Sequence, residues 1–363
     1  ASLFFSFTCR KRPNAYCRDM LAPSEKQYIS FGPEFGQRVL VFVDTEEEFD
    51  WTQPKSRDST SVKSVKSLPK VHSLMRGFGI KPAYMVDYPV ATTAESVEVL
   101  RALSEGEGAT IGAQLHPWVN PPFIERVGGL NSFPGNLPRE VERAKIKALT
   151  DAIAENFGAA PIVYRAGRYG VGPNTEALLD ELGYRMDVSV RPYFDYSDEG
   201  GPSFRGIRPQ LYWTGPERRL LELPLTSTFT GGLRVFGERA FELATRVPRL
   251  NGLLSRTSLL GRVALTPEGI PLDEAIQAIE LLVEAGTQIF SISFHSPSVE
   301  PGHTPYVRDA RDLADFYTWW DGVLTTLTRA GVKPAGVEEI VAAAHVQRDG
   351  NAPAALAEQA ASV

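Results

Sequence analysis

Residues 38–44 read Arg-Val-Leu-Val-Phe-Val-Asp, a short unbroken apolar run that stops on a carboxylate. Such a run is too short for a buried helix and suits a strand covered on both faces, as in parallel sheets. Similar runs span Pro82–Tyr88, Thr110–His116, Ile162–Arg165, Met186–Val190, Leu220–Leu225 and Ile289–His295. Several stretches between them carry helical period and a glycine stop: Pro138–Phe157 before Gly158, Asn174–Leu182 before Gly183, Leu272–Ala285 before Gly286. Strands alternating with helices imply βαβ units and a parallel sheet or barrel. Seven strands exceed a small open sheet and fit a barrel with one element missing.

The alternation breaks twice. Residues 117–138, rich in Pro, Gly and Asn, read as a long loop after the third run, and residues 231–269 as a helical insertion, a lid or an oligomer contact. The chain thus divides into an N-terminal arm over 1–37, a barrel over 38–340 and a C-terminal tail over 341–363. The arm and the insertion are the surfaces a homo-oligomer would use. The 363 residues carry 38 basic and 44 acidic side chains, a net charge of −6, and 43% of them are hydrophobic. That balance excludes long disorder and coiled coils, and it lacks the basic footprint of a nucleic-acid binder. Cys9 and Cys17 are too few for a disulfide framework or a thiolate zinc site. No stretch approaches the roughly 20 apolar residues of a membrane span. The apolar start Leu3–Phe7 is too short for a secretory leader and its basic cluster follows it, so a cytoplasmic protein is expected.

In parallel barrels the chemistry sits at the C-terminal ends of the strands. Here those ends carry Asp44, His116, Arg165, Asp187 and His295, which include two of only five histidines. Asp44 leads into Thr45-Glu46-Glu47-Glu48. Extension through the pleat would aim Asp44 and Glu46 alike, one carboxylate for a metal and one as a base. Alternatively the glutamates form a solvated acidic loop. His116 precedes Asn120 by four residues, a spacing that presents two ligands together, although an amide oxygen is a weaker and harder donor than imidazole. The competing assignment for His116 is a structural hydrogen-bond partner. Tyr164-Arg165-Ala166-Gly167-Arg168-Tyr169 places arginines where they orient carboxylates or hold a charged substrate group, or else forms a charged surface turn. His295 closes an alternating run and suits acid chemistry.

These segments, in this order, resemble the NodB-homology polysaccharide deacetylases (carbohydrate esterase family 4), most closely a WalW-type branch. The family's first motif is answered by Asp44-Thr45-Glu46, its His-x-x-x-His by His116 and Asn120, and its Arg-rich strand end by Arg165–Tyr169. Its Asp near a Ser is answered by Asp187-Val188-Ser189, and its Leu-x-x-His by Ile292–His295. The resemblance covers about residues 38 to 340. It implies an α/β fold, a distorted (β/α)7 barrel. It also implies a metal-dependent hydrolase that removes N-acetyl groups from an amino sugar in a polysaccharide or its precursor, with an acetylated carbohydrate as partner.

By the same resemblance, Glu46, His116 and Asn120 would hold a divalent metal, zinc in the family. Asp44 would be the general base and His295 the acid, with Asp187 tuning His295 and Arg165 steadying Asp44. The backbone N–H of Tyr169 would stabilise the oxyanion. Asn120 and Glu46 stand where the family has His and Asp, which weakens a zinc site. Two other readings share the barrel. One is a glycan-binding module without catalysis, using Trp51, Trp118 and Tyr169 as a stacking surface. The other is a cyclic-amide hydrolase of allantoinase type. A dinucleotide-binding dehydrogenase is disfavoured, because no Gly-x-Gly-x-x-Gly follows the first run.

Overall fold

The structure, a computed structural model, describes residues 22–245 and 259–350. Both cysteines, the start of the arm, the middle of the insertion and the end of the tail lie outside the described residues. In chain order the strands are β1 (Arg38–Thr45), β2 (Ala83–Val86), β3 (Thr110–Leu115), β4 (Val163–Ala166), β5 (Met186–Asp187) and β6 (Tyr212–Thr214). They continue with β7 (Leu220–Glu222), β8 (Ser227–Thr230), β9 (Gly261–Ala264), β10 (Ile289–His295) and β11 (Lys333–Pro334). Each of the seven apolar runs yields one parallel strand, and these pair in the order β10-β1-β2-β3-β4-β5-β7. β6 adds an antiparallel edge on β7, β11 lies beside the start of β1, and β8 pairs with β9 separately.

β10, the last of these seven strands, therefore lies beside the first, in a register that sets Asp44 opposite His295. β7 and β10 do not pair as strands. Thr226, four residues past the end of β7, spans the seam instead: its N–H donates to the Ser291 carbonyl at 3.1 Å, and its Oγ1 accepts from the Ser291 N–H at 2.8 Å. The result is a mixed α/β fold around a curled half-barrel sheet. Its helices follow the sequence closely. Arg139–Phe157 stops at Gly158, whose left-handed φ of 83° a side chain would strain.

Side-chain parity along the strands decides which groups face inward. Val39, Val41 and Val43 pack outward under the helices, while Leu40 and Phe42 fill the interior with Met85, Val163 and Met186. Burial of such side chains is worth about 1.5–3 kcal/mol each and forces the register. The N-terminal end of the sheet is plugged by Ile29, Trp213 and Ile340. Residues ahead of β1 run across that end: the Ile29 N–H donates to the Leu211 carbonyl at 2.9 Å, and the Gln288 amide holds Phe31. The opposite end stays open. Within the expected insertion lie the helix Gly237–Thr245 and strand β9, so the described part of it is not helical throughout: β9 turns back antiparallel on β8 before residue 269. The tail begins inside a helix, Val337–Gly350, with Val341 and Ala344 buried.

Candidate active site

Following the inward parity of Leu40 and Phe42, the next such position on β1 is Asp44, and Glu46 continues it one residue past the strand's end. On β3 Gly112 and Gln114 precede His116, on β4 Val163 precedes Arg165, and on β10 Ser291 and Ser293 precede His295. The open end thereby gathers Asp44, Glu46, Gln114, His116, Arg165 and His295 around one cleft of about 740 Å³. Lys55, Arg168, Tyr169, Arg191, Glu268 and the aromatic Trp51 and Tyr306 complete its walls.

Asp44 is 2% exposed and is clamped by Arg165 Nη1, at 2.9 Å from Oδ1 and 3.1 Å from Oδ2. His295 Nε2 stands 3.7 Å from Asp44 Oδ2. The other ring nitrogen, Nδ1, lies 2.6 Å from Glu268 Oε2. Glu268 also accepts from the His295 N–H at 3.1 Å and from Ser298 Oγ at 2.6 Å. Burial alone would lower the imidazole's pKa, but Glu268, Glu46 and Asp44 together raise it to about 10. Burial pushes the Glu268 carboxyl the other way, and His295 outweighs it, leaving Glu268 below its ordinary value.

The glutamates after Asp44 are not a solvated loop: Glu46 is 2% exposed and Glu47 fully buried. Glu46 Oε2 accepts from Gln114 Nε2 at 3.1 Å and lies 3.5 Å from His116 Nε2. Burial, opposed by His295 and His116, pushes Glu46 up to about 7. On the far side of the imidazole, His116 Nδ1 meets Glu47 Oε2 at 2.7 Å, and Trp118 Nε1 donates to Glu47 Oε1 at 2.6 Å. Asp87 accepts from the Glu47 and Val90 N–H groups. Burial raises Glu47 to about 8 and Asp87 well above its usual range, while His116 is lowered. Glu47, Asp87 and His116 each bring a ligand atom within 4.8 Å of the others, a group that could hold a metal ion. Gly167 packs under the imidazole, where an added Cβ would lie 2.5 Å from His116 Cδ2. The turn that follows holds Arg168 and Tyr169 at a left-handed φ of 57°.

Two expected residues stand elsewhere. Asn120 does not line the cleft: its amide donates to the Pro121 carbonyl at 2.6 Å and the Lys145 carbonyl at 3.0 Å. The cause is the buried Lys145 ammonium, which gathers the Pro117, Asn120 and Pro122 carbonyls and turns this segment inward. Asp187 falls on the outer face of β5, between the inward Met186 and Val188. There it accepts from the Ser189 hydroxyl and N–H, and Ser189 Oγ in turn accepts from the Ala166 N–H at 2.8 Å. Its contacts brace the end of β4, and Glu268 is the carboxylate on His295. Trp118, 2% exposed, lines the cleft stacked on His116 at 4.3 Å, and beside His295 the aromatic surface is Trp51, edge-on at 4.9 Å, with Tyr306 behind it.

Sequence reasoning missed Glu268 and Gln114. Glu268 sits in the irregular Thr266-Pro267-Glu268-Gly269 and carries no periodic signal. Gln114 had one, a polar residue at even spacing from His116 inside an apolar run.

No model of a protein family matches the chain, and no curated protein matches it. Solved structures do. A Pseudomonas aeruginosa PAO1 protein assigned as a polysaccharide deacetylase aligns with a TM-score of 0.51 at 15% identity, over 86% of this chain and 93% of that one. A Mycobacterium smegmatis protein assigned likewise aligns with a TM-score of 0.50 at 14% identity, over 91% of this chain and 96% of that one. Puue allantoinase aligns with a TM-score of 0.51 at 16% identity, over 87% and 92%. At these identities the likeness is one of fold. No described helix is long and apolar enough to cross a membrane.

Proposed function

We propose that the protein is a metal-dependent deacetylase that hydrolyses the N-acetyl amide of an amino sugar in a polysaccharide or its precursor, on a (β/α)7-type barrel. The observation that carries the reading is the facing of Asp44 and His295 across the β1–β10 register, beside Glu46 and His116. Amide hydrolysis needs a base to take a proton from water and an acid to give one to the amine. Asp44, held by Arg165, is the base. His295 is the acid, keeping its proton because Glu268 stabilises the imidazolium. The Tyr169 backbone N–H, on its left-handed turn, is the oxyanion donor.

A divalent cation, zinc by the family resemblance, fits the residues around His116 Nε2. Glu46 Oε1 and Gln114 Oε1 are buried there without a hydrogen-bond partner, and Glu46 is a carboxylate pushed up by burial. Glu46, His116 and, with its amide turned end for end, Gln114 would hold it. Glu47 keeps the His116 ring oriented through Nδ1, as carboxylates behind metal-binding histidines do. When bound, the ion would lower the pKa of a water and polarise the acetyl carbonyl. The donor set is richer in oxygen than one of two histidines and an aspartate, and so accepts harder cations too.

The test is acetate release from N-acetylglucosamine oligomers, with and without chelator, by wild type, Asp44→Asn and His295→Ala. Losses of about a hundredfold or more are expected in each variant at a temperature where melting curves show it still folded, since each change also breaks a buried pair. Full activity in both variants would reject these roles. Glycan binding with neither metal nor acetate would indicate a binding module, and turnover of a cyclic amide alone would indicate the allantoinase-type reaction.

A further inference from the structure

Among the described cations around the cleft, Lys55 and Arg191 make no ion pair with a carboxylate. Arg165 meets Asp44, Arg168 meets Glu199, and His295 meets Glu268. Lys55 lies 3.5 Å over the Phe49 ring and is drawn electrostatically toward Glu46 and Glu47. Arg191, in the segment after β5, has no carboxylate partner among the described residues. Its guanidinium carbon lies 5.3 Å over the Tyr169 ring and 4.0 Å over Phe194, and Nη1 donates to Tyr196 Oη at 3.1 Å. Its Nε is buried with no acceptor. Tyr169 also lies 5.9 Å from the Arg165 guanidinium, so Arg191 sits one aromatic ring away from the Asp44–Arg165 pair.

A guanidinium walled by rings and a phenol, with donors left over, suits an oxyanion that offers two acceptor oxygens, a carboxylate or a phosphate. Surrounding phenol oxygens offset the burial and keep it charged. The chain carries a net charge of −6, so this positive spot runs against the molecule's overall field. We infer that the substrate carries an anionic substituent, a carboxylate or a phosphate, close to the acetylated sugar, and that Arg191 binds it. The inference rests on the deacetylase reading for its substrate and on Arg191 alone for its charge.

Three probes separate the possibilities: neutral N-acetylglucosamine oligomers, oligomers containing N-acetylmuramic acid for a carboxylate, and UDP-N-acetylglucosamine for a diphosphate. Wild type should show a higher kcat/KM on one of the anionic probes, and that probe names the source of the charge. Arg191→Gln should reduce the ratio of anionic to neutral kcat/KM at least about tenfold, through KM, and added salt should narrow it in wild type. Arg191→Lys should keep part of the preference and controls for folding. A ratio unchanged in Arg191→Gln, or a wild-type preference for the neutral oligomer, overturns the inference. If no probe releases acetate, the deacetylase reading fails separately. Calorimetric affinities of the anionic probes for wild type and Arg191→Gln then decide the anion site, and equal affinities reject it.

Discussion

A histidine serves as an acid only while it holds its proton, and among the three carboxylates that favour this at His295 the foremost is Glu268. Glu268 engages both its Nδ1 and its backbone N–H, and the folded imidazolium is raised to about 10 from an ordinary 6.5. A group raised in this way stabilises the fold fully below pH 6.5, and the contribution fades as pH climbs through 10. The alkaline limb of kcat should therefore fall late. Glu268→Gln keeps the shape and removes the charge, so the limb should move down toward the ordinary imidazole range, and the stability advantage of low pH should shrink. Rate profiles and melting temperatures from pH 5 to 10.5 check both. An alkaline limb that stays in place would assign the acid to another group. Residue-scale parity explains what the sequence could and could not say about this partner. Asp187 lies at a strand end, but its alternation with Met186 and Val188 already pointed it outward. Glu268 lies in a turn without period, where only the fold brings it to His295.

At the scale of elements, the loop over 117–138 shows how one side chain redirects a motif. The spacing of His116 and Asn120 promised a pair of ligands, yet the pattern of the helix Arg139–Phe157 held the contrary signal. Lys145 lies on its apolar face with Ile146, Leu149 and Ile153, and is fully buried. A buried ammonium must find acceptors, and it takes three loop carbonyls and the Glu125 carboxylate at 3.1 Å. Burial lowers its pKa and Glu125 opposes that. Lys145→Met strands Glu125 and three carbonyls, a cost on the order of 3–5 kcal/mol by analogy with other broken buried pairs. A clearly lower melting temperature and faster proteolysis within 117–138 are expected. A variant as stable as wild type would mean that the loop is held by its other contacts. Helix ends, by contrast, were legible to within a residue or two, because a glycine after an apolar stripe is a local signal. The β8–β9 pair was not, being short, with β9 falling inside the stretch read as a helical insertion.

For the whole molecule, the seven parallel strands were legible in the spacing of apolar runs, whereas their order, with the first beside the last, comes from the structure. How far the sheet curls was not legible: β7 and β10 do not pair as strands, and only Thr226 hydrogen-bonds across to Ser291 there. The curled frame leaves unpartnered oxygen on Glu46 and Gln114 at its mouth, a standing cost of about 1–3 kcal/mol for each buried group. An ion that binds only the folded chain would relieve it, and would stabilise the fold by about 2.7 kcal/mol at a hundredfold excess over its Kd. The melting temperature of metal-stripped protein should therefore rise on adding zinc, manganese or cobalt. Glu46→Gln should abolish the rise and Gln114→Ala should diminish it, whereas Asn120→Ala should leave it in place even if the starting stability is lower. Those outcomes place the ion on the cleft side of His116. A rise lost in Asn120→Ala and kept in Gln114→Ala would restore the four-residue ligand pair, and a rise that depends only on Glu47 and Asp87 would move the ion behind the imidazole.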